Sequence, residues 1–554
     1  MVQLNRRVLL AGAPLLVAPT PALARARVRG TFTHGVASGD PTSSAVILWT
    51  RFVPSAPGAA TVGWEVAEDE AFTRVRARGQ AVASALRDRC VKVDARGLQP
   101  GRRYFYRFLS AGDPSPTGIT RTAPARGGEA LTLALFSCAN KPFGYFHAYA
   151  HAAAREDVDV CIHTGDYIYE YQRGVYPNPG EVVPGRNIEP AGEIVSSGDY
   201  HARYASYRDD AALQELHRTK PMIAVWDDHE LANDAWRDGA QNHQPNEGDW
   251  AVRRLAAAQA YDDWMPIRTQ RSPLQIYRRL DWGDLATLIL LDTRSIGRDK
   301  QLDWRAALAP AQDSGAPAMA AAARALGDGP MADPARTMLG AAQEAWVRRE
   351  LQRSKARGVT WQVLAQQLVM GKQRFSQATA GMVAADASSF TKQFAAAGAL
   401  IGDLGYGWNM DSWSGYPLAR TRFLQDCAAH ANNALVLSGD SHNAWANNLP
   451  GGRDGRPAAI EMAGAGVTSP GFERTFVNTG PGGREAAMRA ANEELAWCDL
   501  THRGYSVAKL TRTRADVEWL AFESVATPAA PAPKVTRSSA EATANRGVGA
   551  WQFG

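Results

Sequence analysis

The chain has 554 residues, 45% hydrophobic and 21% charged, with a formal net charge of +5. That length exceeds one simple core and calls for two domains or one large elaborated domain. The composition excludes a disordered or fibrous protein, and the small positive excess forms no basic stripe interleaved with aromatics, so no nucleic-acid partner is indicated.

Residues 1–24 read as a signal peptide. Asn5-Arg6-Arg7 precedes an apolar run over 8–17, and Ala22-Leu23-Ala24 follows it. These are a charged n-region, an h-region and a small-residue cleavage site, in order. The paired arginines point to the twin-arginine export machinery as a partner, with a general secretory leader as the alternative. The apolar stretch is shorter than the ~20 residues of a membrane span and contains Pro14, so no stable membrane anchor is expected. The expected location is periplasmic or secreted. Five cysteines, Cys90, Cys138, Cys161, Cys427 and Cys498, an odd and widely spaced set, do not read as a disulfide framework. In an oxidising compartment at least one of them is free, mispaired or metal-bound.

Residues 31–126 read as a small all-β sandwich. Residues 45–50 and 61–66 are short apolar or alternating runs between turn residues. The turn Leu98-Gln99-Pro100-Gly101 leads into 103–108, with aromatics at alternate positions, a turn-plus-tyrosine pattern that recurs in fibronectin-like sandwiches. Residues 122–128 form a linker rich in Pro and Gly. The pattern changes at Leu131. Apolar runs at 131–137, 158–164, 221–226, 285–291, 359–365 and 434–438 alternate with helical signals such as 341–352 and 420–431. Such alternation predicts a layered α/β domain, β-sheets flanked by helices, over 131–526. Residues 527–554 read as a C-terminal tail, Ala/Pro-rich as far as 533.

Several of these strands end in polar, metal-competent residues: Ser137-Cys138-Ala139-Asn140, Gly165-Asp166-Tyr167-Ile168-Tyr169-Glu170, Trp226-Asp227-Asp228-His229-Glu230 and Ser438-Gly439-Asp440-Ser441-His442-Asn443. Taken singly, a Gly-Asp is a turn, a buried cysteine a small core hydrophobe, and an Asp-Asp-His a helix cap. Four such ends behind apolar strands converge on one rim of an α/β domain. So much buried negative charge requires cations. Asp166 can bridge two cations through its two oxygens, and Tyr169 lies one turn beyond it. Phenolate and thiolate suit a Lewis-acidic iron, whereas the hard oxygens of Asp228 and Asp440 suit calcium better than zinc. His229 can protonate a leaving oxygen or hold a phosphate.

At these residues the chain resembles the calcineurin-like metallophosphoesterases, which carry a GD-x-x-Y or GD-x-x-D block, a GNH block followed by Glu or Asp, and a late GH-x-H block. Gly165-Asp166-Tyr167-Ile168-Tyr169 matches the tyrosine form. Cys138 stands in the first block, Asp227-Asp228-His229-Glu230 in the second position and Gly439-Asp440-Ser441-His442 in the last, which are the forms of the PhoD-like branch. The resemblance extends to Phe32-Thr33-His34-Gly35-Val36-Ala37-Ser38-Gly39-Asp40 and Trp413-Ser414-Gly415-Tyr416-Pro417. It implies an alkaline-phosphatase-type phosphoric ester hydrolase with one Fe3+ and bound Ca2+. By motif position, iron falls to Cys138, Asp166, Tyr169 and His442, and one calcium to Asp166, Asp228 and Asp440. A second calcium has no ligands assignable from the motifs. His229 and Asp166 are the catalytic candidates; Asn140 and Arg420 are candidate substrate contacts, and Glu230 a secondary one. The expected substrates are phosphate monoesters, with diesters as a second class. A phospholipase-like phosphodiesterase and a non-catalytic surface-binding module are the alternatives.

Overall fold

In this computed structural model the described residues are 28–477, 483–544 and 546–554; the leader expected at 1–24 lies outside them. The N-terminal strands are Gly30–Gly39 (β1), Ala45–Pro54 (β2), Ala60–Ala67 (β3), Val75–Ala83 (β4), Cys90–Arg96 (β5), Arg103–Leu109 (β6) and Gly118–Arg121 (β7). Ala130–Phe136 (β8), Val160–His163 (β9) and Met222–Ala224 (β10) follow. Then come Arg278–Trp282 (β11), Ala286–Leu290 (β12), Trp361–Ala365 (β13), Ala434–Ser438 (β14), Ala444–Leu449 (β15), Ala459–Ala463 (β16) and Leu495–Asp499 (β17). The chain closes with Arg503–Thr511 (β18), Arg514–Phe522 (β19), Lys534–Glu541 (β20) and Gln552–Phe553 (β21).

The N-terminal region is all-β and has a core of its own. Val36, Leu48 and Phe52 of β1 and β2 meet Val62, Val66, Tyr106 and Phe108 of β3 and β6. The Tyr104 hydroxyl accepts a hydrogen bond from the Gln99 N–H at 2.8 Å, which fastens the turn before β6. Strands β4-β3-β6-β7 form a four-stranded sheet. Strands β1, β2 and β5 do not close a second sheet of their own. The end of β1 pairs in parallel with β10, Gly39 opposite Met222, so these strands become one flank of a ten-stranded sheet ordered β21-β20-β19-β18-β8-β9-β10-β1-β2-β5. Pairing there covers an edge that a free-standing sandwich would expose.

The second large sheet has seven strands, ordered β11-β12-β13-β14-β16-β15-β17. Side chains alternate across it with the period of two that a strand imposes. Leu288, Leu290, Val363, Leu435 and Leu437 join Leu133, Leu135 and Ile162 of the ten-stranded sheet in one shared core. Ile289, Leu364 and Val436 point the other way, into a core with helices Gly340–Ala356 and Pro417–His430.

The reading of 527–554 as a tail is corrected by the structure. Strand β20 pairs with β19 over its full length, and β21 pairs with β20. Trp551 is buried, and its indole N–H donates to the Glu461 carbonyl at 3.1 Å. The polar sequence of β20, Lys-Val-Thr-Arg-Ser-Ser-Ala-Glu, hides it from a reading based on apolar runs, because it lies near a sheet edge with one side toward solvent.

A buried ion pair connects the sheets. Asp40, just beyond β1, accepts from Arg278 Nε and Nη2 of β11 at 2.7 and 2.8 Å and from the Arg268 N–H at 2.7 Å. Neither partner of the pair has appreciable exposure. Asp40→Ala leaves the Arg278 guanidinium buried and uncompensated, so urea denaturation is expected to show a loss of about 3–5 kcal/mol. A loss below about 1 kcal/mol would contradict this role.

Candidate metal centre

Strands β8, β9 and β10 run parallel, and so do β12, β13, β14 and β16. The loops after several of these strands meet between the two sheets. Main-chain bonds fasten them together. The Cys138 N–H donates to the Gly165 carbonyl, Ala139 N–H to the Asp166 carbonyl, and Val467 N–H to the Ser137 carbonyl. Glu230, a candidate contact from the sequence, clamps two loops: one carboxylate oxygen accepts from the N–H groups of Asp166 and Asp227 at 3.0 and 2.8 Å, the other from Tyr167 at 2.7 Å.

Sharp turns aim the side chains inward. Cys138, Asp166, Asp234, Asp440 and His442 all have positive φ, between 52° and 64°. Such a backbone costs a non-glycine residue about 1–2 kcal/mol, and clusters of it are characteristic of functional sites. Gly165 has φ 108°, and a Cβ there would lie 2.3 Å from the Asp227 nitrogen. Only glycine lets these two loops approach so closely.

The predicted ligands come together. Ligand atoms of Cys138, Asp166 and His442 lie within 4.8 Å of one another, as do those of Asp166, Asp228 and His229, and of Asp227, Asp228 and Asp440. The Tyr169 hydroxyl is 3.0 Å from Asp166 Oδ2, 2.7 Å from Ser469 Oγ and 3.4 Å from His442 Nε2. His442 Nδ1 donates to the Pro470 carbonyl at 2.8 Å, which leaves Nε2 as the nitrogen available to a cation. A further group, Asp228, Asp234 and Asp411, also has its ligand atoms within 4.8 Å. Asp234 and Asp411 escaped the sequence reading because neither follows an apolar strand.

The electrostatics call for cations. Asp166 Oδ1 is buried without a hydrogen-bond partner, and so is Asp227 Oδ2. Burial, reinforced by Asp227, Asp228 and Glu230 against the pull of His229, pushes the Asp166 carboxyl well above its ordinary range. Burial takes Asp440 up to about 7 against the pull of Arg294, and with Asp166 it raises the Cys138 thiol. Asp228 goes the other way: burial opposes its charge, but Arg294 and His229 outweigh that and draw it down to about 2. Burial lowers His442 to about 3, so its imidazole is neutral, as a ligand must be. A bound cation would ionise the acids and supply the missing partner of Asp166 Oδ1. The donor set, one thiolate, one imidazole, one phenol and several carboxylates, fits a metal centre.

His229 lies at the edge of the cluster. Its Nδ1 donates to Glu170 Oε2 at 2.6 Å, and its ring packs 4.1 Å from that of Tyr169. Glu170 also accepts from Asn233 N–H and Asn242 Nδ2. Burial opposes charge on His229, but Glu170, Asp166 and Asp228 together hold its proton well above the ordinary histidine range. Of the candidate substrate contacts, Asn140, two residues after Cys138, is buried with its side-chain Oδ1 unpartnered and its Nδ2 donating to the Tyr176 carbonyl at 3.3 Å. Arg420 is buried elsewhere: it donates to the Met370 carbonyl at 2.7 Å and to Glu494 at 2.5 Å, and no bond joins it to the cluster. Arg420 is thereby engaged within the protein and not free to serve as the expected substrate contact. The arginine that does enter the cluster is Arg294, after β12, in ion pairs with Asp227, Asp228, Asp411 and Asp440. The apolar run ending at Asp292 was the available signal for it.

Glu170→Gln removes the nearest anion from His229. The imidazolium then loses its proton at lower pH, and the shift is readable in the histidine ring signals on NMR titration. An unchanged or higher titration point would contradict the pairing.

The PhoD-like phosphatase family matches residues 133–519, and the PhoD-like phosphatase N-terminal domain matches 17–124. Alkaline phosphatase D of Bacillus subtilis (strain 168) is 35% identical over 457 residues, which is 79% of this chain and 70% of that protein. The solved structure described as the structure of PhoD superposes with a TM-score of 0.74 at 29% identity, over 94% of this chain and 92% of that one. The chain belongs to the PhoD-like phosphatase family.

Proposed function

We propose that this chain is an exported, metal-dependent phosphatase that hydrolyses phosphate monoesters, with diesters as a second class. The observation that carries the reading is the convergence of buried Cys138 and Asp166 with half-buried His442, with Asp166 Oδ1 left without a partner. The name of the Bacillus subtilis relative, alkaline phosphatase D, supports the reaction class. The paired Arg6-Arg7 and the Ala22-Leu23-Ala24 site support export through the twin-arginine route to the periplasm or beyond. The finer fold assignment belongs to the same reading: a layered metallophosphoesterase domain with a fibronectin-like region before it.

Fe3+ would be held by Cys138, Asp166, Tyr169 and His442, and one Ca2+ by Asp166, Asp228 and Asp440. A second Ca2+ would fall to Asp228, Asp234 and Asp411, whose ligand atoms also converge. When bound, these cations supply Lewis acidity toward phosphate oxygens and toward the attacking water. The chain's own residues do the rest. Glu170 keeps His229 protonated and fixes its ring, so Nε2–H is the acid available to a leaving-group oxygen. Ser469 and Asp166 orient the Tyr169 hydroxyl. Asn140 would reach a phosphate oxygen only through its Nδ2, which here donates to the Tyr176 carbonyl at 3.3 Å.

Asp166→Asn in metal-replete protein is expected to lower kcat on an aryl phosphate by on the order of a thousandfold. Retention of full activity would sink the reading. Tyr169→Phe should abolish the visible absorption that phenolate-to-iron charge transfer gives; an unaltered band would remove Tyr169 from the iron ligands. Assays on a monoester, a diester and a phospholipid in parallel separate the phosphatase from a phospholipase-like diesterase.

A further inference from the structure

We propose that Arg294 is a resident counter-cation of the aspartate cluster, competing with the divalent cations assigned there and keeping their binding exchangeable. The inference rests on the calcium reading above. Arg294 is 0% exposed, and its guanidinium touches members of both all-aspartate groups. Nε donates to Asp227, Nη1 donates to Asp411 Oδ2 at 2.7 Å, and Nη2 lies 3.3 Å from Asp440 Oδ1 and 3.6 Å from Asp228 Oδ1. Asp227, Asp228 and Asp440 form one group of converging ligand atoms, and Asp228, Asp234 and Asp411 the other.

The placement is held by the surrounding chain. The Arg294 and Ser295 N–H groups both donate to Asp292 Oδ1 at 2.8 Å, which fixes the loop. Arg298, also fully buried, donates to the Asp411 carbonyl at 2.9 Å and pairs with its carboxylate. Among the ion pairs of the described residues, Asp227, Asp228, Asp411 and Asp440 meet only these two arginines.

The consequence follows from Coulomb's law. Without cations, the aspartates repel one another and Arg294 relieves that repulsion. With cations bound, the same carboxylates are already neutralised, and the guanidinium repels the ions beside it. Removing its charge therefore destabilises the cation-free protein more than the loaded one, and the difference appears as tighter binding. One unit charge at contact distance in a partly screened site is worth roughly tenfold or more in the affinity of a divalent ion.

The test is calorimetric titration of calcium into chelator-stripped full-length protein, wild type against Arg294→Gln, with thermal melts of both before calcium is added. The expected result is calcium affinity about tenfold tighter in Arg294→Gln, with a lower melting temperature for the cation-free variant. Equal or weaker calcium affinity in the variant would overturn the proposal. Wild-type protein that binds no calcium would instead overturn the calcium reading, and this inference with it. Arg294→Lys retains the charge and should stay near wild-type affinity; a gain equal to that of Arg294→Gln would contradict a charge effect. If Arg294→Gln does not survive stripping, calcium release from the loaded protein into a chelator reads the same quantity. Slower release from the variant supports the proposal, and equal or faster release overturns it.

Discussion

Buried negative charge is the constraint around which this molecule is organised. Asp166, Asp227 and Asp228 sit between two sheets with almost no access to water, with the half-buried Asp440 beside them, where an ionised carboxylate without compensation is prohibitively costly. The protein answers part of that demand with Arg294, Arg298 and the protonated His229. The rest is left open, as the unpartnered oxygens of Asp166 and Asp227 show. On the proposed reading, cations complete the balance, and the cations that the carboxylates hold would grip a phosphate.

Holding such a site requires a rigid frame. Of the candidate ligands, Cys138, Asp166, Asp440 and His442 stand on left-handed turns after strands, a backbone that an isolated loop would relax. Three features prevent relaxation here. The parallel strands behind the turns are packed into a shared core. Glu230 ties the Asp166 and Asp227 loops through their own N–H groups. Gly165 lets those loops touch where any side chain would force them apart. The N-terminal strands contribute from a distance, since β1 extends the sheet that carries three of the loops and Asp40 pins it to β11.

Much of the candidate site was legible in the sequence, because the residues that converge follow apolar strands in short blocks: Cys138, Asp166 with Tyr169, Asp228 with His229, and Asp440 with His442. Strand–loop–helix alternation also marked β8, β9, β12, β13 and β14 and the helices at Gly340–Ala356 and Pro417–His430. Residues that join the cluster from outside such blocks were not legible. Asp234 and Asp411 lie in loops without periodicity, and Arg294 is a single cation a few residues beyond the apolar run 285–291. Arg420 illustrates the opposite failure: an arginine near a familiar motif turned out to be occupied by Glu494 and a carbonyl. The continuity of β1 with β10 and the late strand β20 were hidden for a related reason. Pairing partners more than a hundred residues apart, or polar edge strands, leave no local pattern to read.

The most direct test of the account is metal analysis of the purified, mature protein, with aryl phosphate hydrolysis measured on the same sample before and after chelation. The account predicts iron and calcium together, activity lost on chelation, and activity restored by calcium. Full phosphatase activity in protein verified to be free of metal would contradict it.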